Sequence, residues 1–399
     1  MQKNYKENHL KPYAIKSINS KGRIYNEKEN SIRSPYQRDR DRIIHSSSFR
    51  RLKHKTQVFV NTEGDHYRTR LTHSMEVSQI SRTLARSLGL NEDLCETLSL
   101  SHDLGHTPFG HAGEDALVEA SSSYFNHNDQ SFRIVTFLEK AYLDFDGLNL
   151  TWETLEGIAK HNGPIENINK NSTLFSFNKN IMNLSLKTFP SLEAQIASVS
   201  DDIAYMNHDL DDGFRANLFH TKELMKLSLC REIYKEFGMA DGGINLFTYP
   251  TTKKKRNRQI LRSRYKKEIV RRLINKMVVD LIKQTEKNLN KIKPMNVDDV
   301  RDSDSHIVSF SNKMKKNISE IRLFLNKQMY NHIKVINNTN KHKKILKNLY
   351  QFYDENKLRI PIRWINETYK NTKVDKKQMI IDYISGMTDR YILNIYNKI

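Results

Sequence analysis

The chain has 399 residues, of which 37% are hydrophobic and 28% are charged, with only 14 glycines and 8 prolines. So few helix breakers favour a mainly helical protein, and the length permits a sizeable core. The two cysteines, Cys95 and Cys230, exclude a disulfide framework and favour a reducing compartment, so we expect a cytoplasmic location. No apolar run approaches about 18 residues and no apolar segment follows the first charges, so neither a membrane span nor a signal peptide is expected.

The formal net charge of the chain is +20. A positive field of this size attracts polyanions such as nucleotides or nucleic acid. Lysine and arginine are densest in Lys253–Arg272, which we call the basic segment. A solvated lysine-rich surface is the simpler interpretation of this segment, and binding of single-stranded DNA is the alternative.

The first part of the chain predicts an arm followed by a helix. Residues 1–33 are polar and show no periodicity, which predicts an irregular N-terminal arm. Ser34 followed by Pro35 predicts a helix N-cap and a first helical residue, and we expect this helix to continue to Phe59. The N-terminal arm and helix are therefore placed at residues 1–60.

The segment that starts at Thr69 has the periodicity of an amphipathic helix. Gly89 is expected to end this helix, and Asn91 to begin a second helix that reaches Gly105. The predicted core face of the first helix consists of Leu71, Met75, Ile80, Leu84 and Leu88.

Two later segments complete the predicted organisation. Residues 163–190 are rich in asparagine and lack periodicity, which predicts a loop or an insertion. Ser191–Asp212 again has a strong helical pattern, and the chain beyond it stays helical and becomes more basic. We therefore expect a core domain at residues 61–215 and a basic helical region at residues 216–399.

The adjacent pair His102–Asp103 is the first candidate for metal binding. Imidazole and carboxylate together suit divalent cations, with Mn2+, Mg2+ or Fe2+ as the first expectation and Zn2+ or Ni2+ as alternatives. Consecutive helix residues point about 100° apart, so other helices must supply further ligands. His73, in the preceding helix, is one candidate, and a buried histidine with only a packing role is its alternative. The histidines that follow in the chain, His106, His111 and His127, favour the metal.

Asp201, Tyr205 and Asp209 lie at positions i, i+4 and i+8 of the predicted Ser191–Asp212 helix. This spacing places them on one stripe of the helix surface. Two carboxylates and a phenol do not make a hydrophobic seam, so we interpret the stripe as a pocket wall. Asp201 would complete the metal site, and the other two side chains would meet a substrate. A solvated acidic helix with a packed tyrosine is the alternative.

Several segments together resemble a known family. They are DHYRTRLTHSMEV, HDLGHTPFGHAGE, FNHNDQSFRIV, DDIAYMNHDLDDG and DYISGMTDRY, and they occur in the family's order. The chain resembles the deoxyguanosinetriphosphate triphosphohydrolase-like family of the HD-domain phosphohydrolase superfamily. The resemblance implies an all-α fold, with an HD-type helical metal-phosphohydrolase core and an additional C-terminal helical region. It also implies hydrolysis of a dNTP to deoxynucleoside and inorganic triphosphate by a homo-oligomer.

The resemblance carries over to individual residues of this sequence. The positions that match the family's metal ligands are His73, His102, Asp103 and Asp201. The substrate-binding positions are Arg70 for the triphosphate and Gln57, Tyr205 and Asp209 for the deoxyribose. The catalytic histidines expected at the α-phosphate are His106, His111 and His127, and the choice of acid-base group between His106 and His127 stays open. The expected partners are a dNTP substrate, further copies of the chain, and single-stranded DNA or a second dNTP as effector.

Other functional classes receive less support from the sequence. The P-loop pattern GxxxxGK[ST] and the nucleophile elbow GxSxG are both missing from it. An HD phosphohydrolase that acts on another nucleotide class, such as a nucleoside monophosphate, a cyclic dinucleotide or an alarmone, is one alternative. A nucleic-acid-binding protein with a degenerate site is the other; the charge of +20 favours it, and the four intact metal positions oppose it.

Overall fold

The computed structural model describes residues 7–28, 32–57, 67–236, 255–355, 360–369 and 374–399, with side chains from residue 264 onward in the fourth range. Every regular element in these residues is helical, which confirms the predicted all-α class. The α-helices are Pro35–His45 (α1), Ser47–Arg51 (α2), Arg70–Leu88 (α3), Glu92–Ser101 (α4), His111–Ser121 (α5), His127–Arg133 (α6), Trp152–Ala159 (α7), Thr173–Asn180 (α8), Leu192–Arg215 (α9), Thr221–Leu224 (α10), Ser228–Glu236 (α11), Lys255–Ile292 (α12), Val297–Arg301 (α13), Asn312–Leu325 (α14), Ile333–Glu355 (α15), Ile362–Tyr369 (α16), Lys376–Ser385 (α17) and Asp389–Tyr396 (α18). Short 3-10 turns occupy Ser17–Asn19 and Leu52–His54, and π-helical turns occupy Ile134–Leu138 and Asn326–Tyr330.

The prediction of one continuous helix from Pro35 to Phe59 is wrong, because the helix is interrupted at Ser46 and residues 55–57 are not helical; residues 58 and 59 lie outside the described ranges. The backbone of Ser46 is extended, and its hydroxyl accepts a hydrogen bond from the amide three residues later. The carboxylate of Glu139 accepts hydrogen bonds from the amides of the next two residues, at 3.2 and 2.7 Å. These acceptors satisfy the amides of a new helix N-terminus, so α2 begins there.

The central helices α3, α4 and α9 pack against one another. On α3 the prediction that Met75 faces the core is wrong, because its side chain is 57% exposed. The buried face carries His73, Ser74 and Val77 instead. Consecutive residues of a helix point about 100° apart. Because the buried face includes the polar residue Ser74, the next residue, Met75, points toward solvent. The predicted helix over Ser191–Asp212 is confirmed as α9.

One apolar cluster joins α3 and α9 to the helices that follow them. It contains Leu84 on α3, Ile203 on α9, Met277 on α12 and Ile321 on α14, all of them buried. A second cluster surrounds α4 and α7, and a third joins α5 to α15 and α17. The chain beyond residue 216 therefore shares a core with the preceding helices, and the boundary expected there stays a prediction.

The arm and the asparagine-rich segment both contain ordered structure. In the arm, the backbone amide of Ile15 donates a hydrogen bond of 2.9 Å to Glu193 on α9. Within residues 163–190 lies α8, whose first amides donate to the carboxylate of Asp129 at 3.0 and 2.9 Å. The prediction of a loop is therefore wrong for α8, where a carboxylate satisfies the helix N-terminus.

The basic segment is described only in part, because residues 251–254 and the side chains of residues 255–263 lie outside the described ranges. In the described part, Arg271 and Arg272 both form ion pairs with Glu268. These pairs reduce the charge available to a polyanion, and DNA binding here stays a prediction. None of the helices in the described residues combines the length and the apolarity that a membrane crossing requires.

The C-terminal region holds two loops of the core through buried polar contacts. The carboxylate of Asp389 accepts hydrogen bonds from the backbone amides of Thr56, at 2.7 Å, and Phe109, at 3.0 Å. The amine of Lys55 donates to the carbonyls of His106 and Ser385. Burial lowers the pKa of Lys55 to about 7. Loops that lie far apart in the sequence are thereby fixed to one another.

We predict that Asp389→Asn lowers the free energy of unfolding by about 1–3 kcal/mol, because an amide cannot accept both backbone hydrogen bonds and leaves a buried N–H without a partner. Urea unfolding followed by circular dichroism measures the loss. Asp375→Asn is the matched control, since Asp375 is exposed and its side chain makes no cap hydrogen bond. Equal unfolding midpoints for the two variants would contradict the structural role of Asp389.

Candidate metal centre and adjoining pocket

Four predicted metal ligands meet where α3, α9 and the end of α4 come together. His73 Nε2 lies 2.8 Å from Asp201 Oδ1. His102 Nε2 lies 3.6 Å from the same oxygen and 3.4 Å from Asp103 Oδ1. The structure therefore brings together residues from three separate elements, as the sequence-based interpretation requires.

The donor atoms of this cluster have the chemistry of a metal site. The Nδ1–H of His102 donates to the carbonyl of Ser99 at 2.6 Å, so Nε2 is the nitrogen that faces the cluster, where a bound cation would take the place of its proton. That nitrogen and Asp103 Oδ2 are both buried and have no hydrogen-bond partner. Buried polar atoms without partners are costly, and a divalent cation would satisfy both. The residues present thus fit a metal ion.

The charges of the cluster also favour a cation. Burial lowers the pKa of His102, but the nearby carboxylates of Asp103 and Asp201 raise it to about 9 overall. The pKa of each carboxyl lies well below its usual range despite burial, because Arg70 and His102 stabilise the charge of Asp103 and His102 stabilises that of Asp201. The two carboxylates therefore remain ionised and attract positive charge.

Three residues next to the cluster were not predicted from the sequence. His161 Nε2 lies 3.6 Å from Asp201 Oδ2, and its ring stacks on that of His102 at a centroid distance of 5.4 Å. His208 Nδ1 contacts His73 Nδ1, and His208 Nε2 contacts the carboxylate of Glu76. His208 directly precedes Asp209, but its spacing alone does not distinguish a site residue from a packed histidine.

The predicted catalytic histidines form a second cluster around Glu114. The rings of His106 and His127 stack at a centroid distance of 4.0 Å. Glu114 Oε2 lies 2.9 Å from His127 Nδ1 and 3.3 Å from His111 Nδ1. Sequence reasoning missed Glu114, although its position three residues after His111, on one helix face, was a usable signal.

Within this cluster, His106 differs from the other two histidines. Burial and the neighbouring charge of Arg70 hold its pKa well below the ordinary value. Its Nε2 lies 3.2 Å from Asp103 Oδ1, which links the two clusters. The pKa of Glu114 is lowered despite burial, because His111 and His127 hydrogen-bond to its carboxylate. An ionised Glu114 therefore orients both of those rings.

The predicted sugar-binding residues retain free polar atoms. Gln57 Oε1 and Asp209 Oδ1 are buried and have no hydrogen-bond partner. The other oxygen of Asp209 accepts a hydrogen bond from the hydroxyl of Tyr330, which also interacts with Tyr205. Burial raises the pKa of Asp209 to about 8. Tyr330 had no signal in the sequence, because it lies 121 residues from Asp209.

Arg70, the predicted triphosphate-binding residue, is buried beside the metal cluster. Its Nη1 donates to Asp103 Oδ1 at 2.9 Å, and its Nε has no hydrogen-bond partner. In this arrangement the guanidinium neutralises a metal-cluster carboxylate and keeps one N–H free for an anion.

Comparisons with known proteins identify the family to which the chain belongs. Residues 70–206 match the family model described as HD domain, and residues 308–398 match the one described as phosphohydrolase-associated domain. A deoxyguanosinetriphosphate triphosphohydrolase-like protein of Bartonella henselae is 46% identical over 97% of this chain and 94% of its own length. Proteins with the same name from Pelagibacter ubique and Rickettsia rickettsii are 49% and 44% identical, over 94% and 98% of this chain and 96% and 97% of their own lengths. The chain therefore belongs to the deoxyguanosinetriphosphate triphosphohydrolase-like family of HD-domain phosphohydrolases.

Proposed function

We propose that the chain hydrolyses deoxynucleoside triphosphates, dGTP among them, to deoxynucleoside and inorganic triphosphate. The observation that carries this proposal is the stripe on α9. Asp201 lies in the metal cluster, and Asp209, two turns along the same helix, has a buried oxygen without a partner. A phosphate-binding centre and a free hydroxyl-binding group thus stand on one rigid element. The name of the relatives, which specifies deoxyguanosinetriphosphate, supports the substrate class.

In this proposal, His73, His102, Asp103 and Asp201 hold a divalent cation, with Mn2+, Mg2+ or Fe2+ as the first candidates. Such a cation supplies Lewis acidity to a phosphoryl oxygen and to the attacking water. Asp201 would bind the cation together with both imidazoles, because its Oδ1 lies close to the Nε2 atoms of His73 and His102. The free N–H of Arg70 would donate to a phosphate oxygen.

The separation along α9 selects which phosphate is attacked. Eight residues of helix span about 12 Å between Asp201 and Asp209. The α-phosphate, one oxygen from the sugar, fits this span with the 3'-hydroxyl hydrogen-bonded to Asp209, and Gln57 is the second proposed contact of the sugar. A γ-phosphate at the metal would add the length of the triphosphate and carry the sugar out of reach of Asp209. We therefore propose that the α-phosphorus of the substrate lies at the metal cluster.

Attack at this phosphorus requires a proton for the leaving group. The bond from water oxygen to phosphorus forms, the bond from phosphorus to the 5'-oxygen breaks, and the resulting alkoxide must be protonated. We assign the proton to the pair of histidines that Glu114 orients, His111 and His127. His106 is unsuited to this role because its low pKa keeps it neutral. In this proposal, the neutral ring of His106 contacts the carboxylate of Asp103 and does not donate the proton.

Product analysis in 18O-labelled water tests the proposed function. Turnover of dGTP should yield deoxyguanosine and inorganic triphosphate, with the label in the triphosphate and none in the nucleoside. Mass spectrometry after a single turnover measures both products. Release of dGDP with phosphate, or of dGMP with pyrophosphate, would show that another phosphorus is attacked. Activity only on cyclic dinucleotides or alarmones would contradict the proposal that the substrates are deoxynucleoside triphosphates.

We predict that the sugar pocket discriminates against ribose. A 2'-hydroxyl would meet the wall formed by Tyr205 and Tyr330 and would be left without a partner. The kcat/KM for dGTP should therefore exceed that for GTP by at least about 100-fold. Tyr205→Ala should reduce this ratio, and Tyr391→Ala, which changes an exposed tyrosine, should leave it unchanged. Equal kcat/KM values for dGTP and GTP in the native protein would show that Tyr205 and Tyr330 do not select against ribose.

We predict that Glu114→Gln lowers kcat by about 100-fold or more, with KM changed only a few-fold, because the amide no longer orients the proton-donating histidines. Steady-state kinetics on dGTP measures both constants. Glu119→Gln is the matched control, since Glu119 lies on the same helix and is exposed. A kcat close to the native value in Glu114→Gln would exclude this histidine pair as the proton source.

A further inference from the structure

A line of hydrogen bonds leads from a half-exposed carboxylate to the metal cluster. Glu76 Oε2 lies 2.7 Å from His208 Nε2, and His208 Nδ1 lies 3.1 Å from His73 Nδ1. His73 Nε2 then faces Asp201 Oδ1. Both imidazoles are buried, whereas the Glu76 side chain is 46% exposed. The two histidine rings are nearly perpendicular, with an interplanar angle of 82°.

The positions of these residues follow from the geometry of α3 and α9. His73 and Glu76 are separated by three residues and therefore lie on one face of α3. Asp201 and His208 are separated by seven residues, or about two turns, and therefore lie on one face of α9. Packing of α3 against α9 places the four side chains along a single seam.

With both imidazoles neutral and Glu76 ionised, one arrangement of hydrogens satisfies the two contacts of His208. Two Nδ1 atoms that face each other can share only one hydrogen. The carboxylate of Glu76 accepts a hydrogen bond and therefore favours the hydrogen of His208 on Nε2. His208 Nδ1 is then an acceptor, so the hydrogen of His73 is on Nδ1. The lone pair of His73 Nε2 consequently faces Asp201 Oδ1 at 2.8 Å with no hydrogen between the two atoms, an arrangement that a cation bound to both would stabilise.

We propose that Glu76 and His208 form a relay that fixes the tautomer of His73 and so strengthens the binding of a divalent cation. This inference rests on the proposed metal ligands, and both relay residues are positioning residues that do not touch the substrate. In the opposite tautomer, His73 Nε2 would carry hydrogen and could not bind a cation. An orienting hydrogen bond of this kind contributes roughly 10- to 100-fold in metal affinity.

Arg68 holds Glu76, the outermost residue of the relay, in position. Arg68 Nε donates to Glu76 at 3.0 Å, and its Nη1 donates to Asp211 at the same distance. The guanidinium thus bridges α3 and α9 beside the seam. Replacing Glu76 by glutamine removes the charge that selects the tautomer but keeps the shape of the side chain, and Arg68 keeps its contact with Asp211.

The test compares metal dissociation constants, measured with Co2+ and Mn2+ in competition with a fluorescent chelator. His208→Leu removes the acceptor for His73 and should weaken binding about 10- to 100-fold. In His208→Asn, the side-chain oxygen is attached to Cγ as Nδ1 is and can accept the same hydrogen bond, so affinity should stay within about 3-fold of native. Glu76→Gln should weaken binding roughly 10-fold in the native background and have no further effect in His208→Asn.

Controls separate the relay from the site and from the general effects of substitution. Glu92→Gln changes another ion-paired glutamate, the first residue of α4, whose partner Arg86 lies near the far end of α3, and it should leave metal affinity unchanged. Asp201→Ala should abolish tight binding if the proposed ligands are right. Native affinity in His208→Leu, or equal effects of Glu76→Gln in both backgrounds, would overturn the relay while leaving the site intact. Tight metal binding that survives Asp201→Ala would overturn the proposed ligand set instead.

Discussion

Two carboxylates, those of Asp103 and Asp201, stand between the helices of the core, and the surrounding polar groups are arranged around their charge. Charge removed from water requires compensation by opposite charge and hydrogen bonds. Arg70 supplies this to Asp103, whereas the carboxylate of Asp201 faces the Nε2 atoms of His73 and His102. The compensation leaves His102 Nε2 and one oxygen of Asp103 without partners. This incomplete pairing indicates where a cation is accommodated and why polar residues occupy the seam between α3 and α9.

The C-terminal region contacts the loops around the candidate site, although none of the proposed metal ligands belongs to it. Asp389 and Lys55 connect it to the loop that carries His106 and to the segment that carries Gln57. Both connections are buried and use backbone atoms as partners, so they fix the loops independently of the side chains present there. The phosphohydrolase-associated match over residues 308–398 therefore includes residues that hold the loop carrying His106.

Several residues of the candidate pocket have a buried polar atom without a hydrogen-bond partner, as do residues elsewhere, such as Tyr36 and Thr285. Gln57, Asp209 and Arg70 each keep one buried polar atom free, whereas the carboxylate of Glu139 accepts hydrogen bonds at both of its oxygens. Groups of the first kind are expensive in a folded protein unless a ligand binds them. The proposed substrate pocket consequently gains selectivity from atoms that only the correct hydroxyl or phosphate satisfies.

The sequence by itself determined the all-α class, the start of α1 and most of α9, because each depends on spacing within one helix or on a local cap, and the candidate metal ligands followed from the resemblance to a family. Tertiary structure decided the rest. Glu76 with His208, Asp209 with Tyr330, and Thr56 with Asp389 meet across 121 to 333 residues or across two packed helices. Met75 was placed on the wrong face because the buried stripe of α3 is partly polar, a consequence of the site that α3 lines. Periodicity records which side chains are apolar, whereas contacts between distant carboxylates, imidazoles and phenols arise only when the packing of the helices fixes their separation.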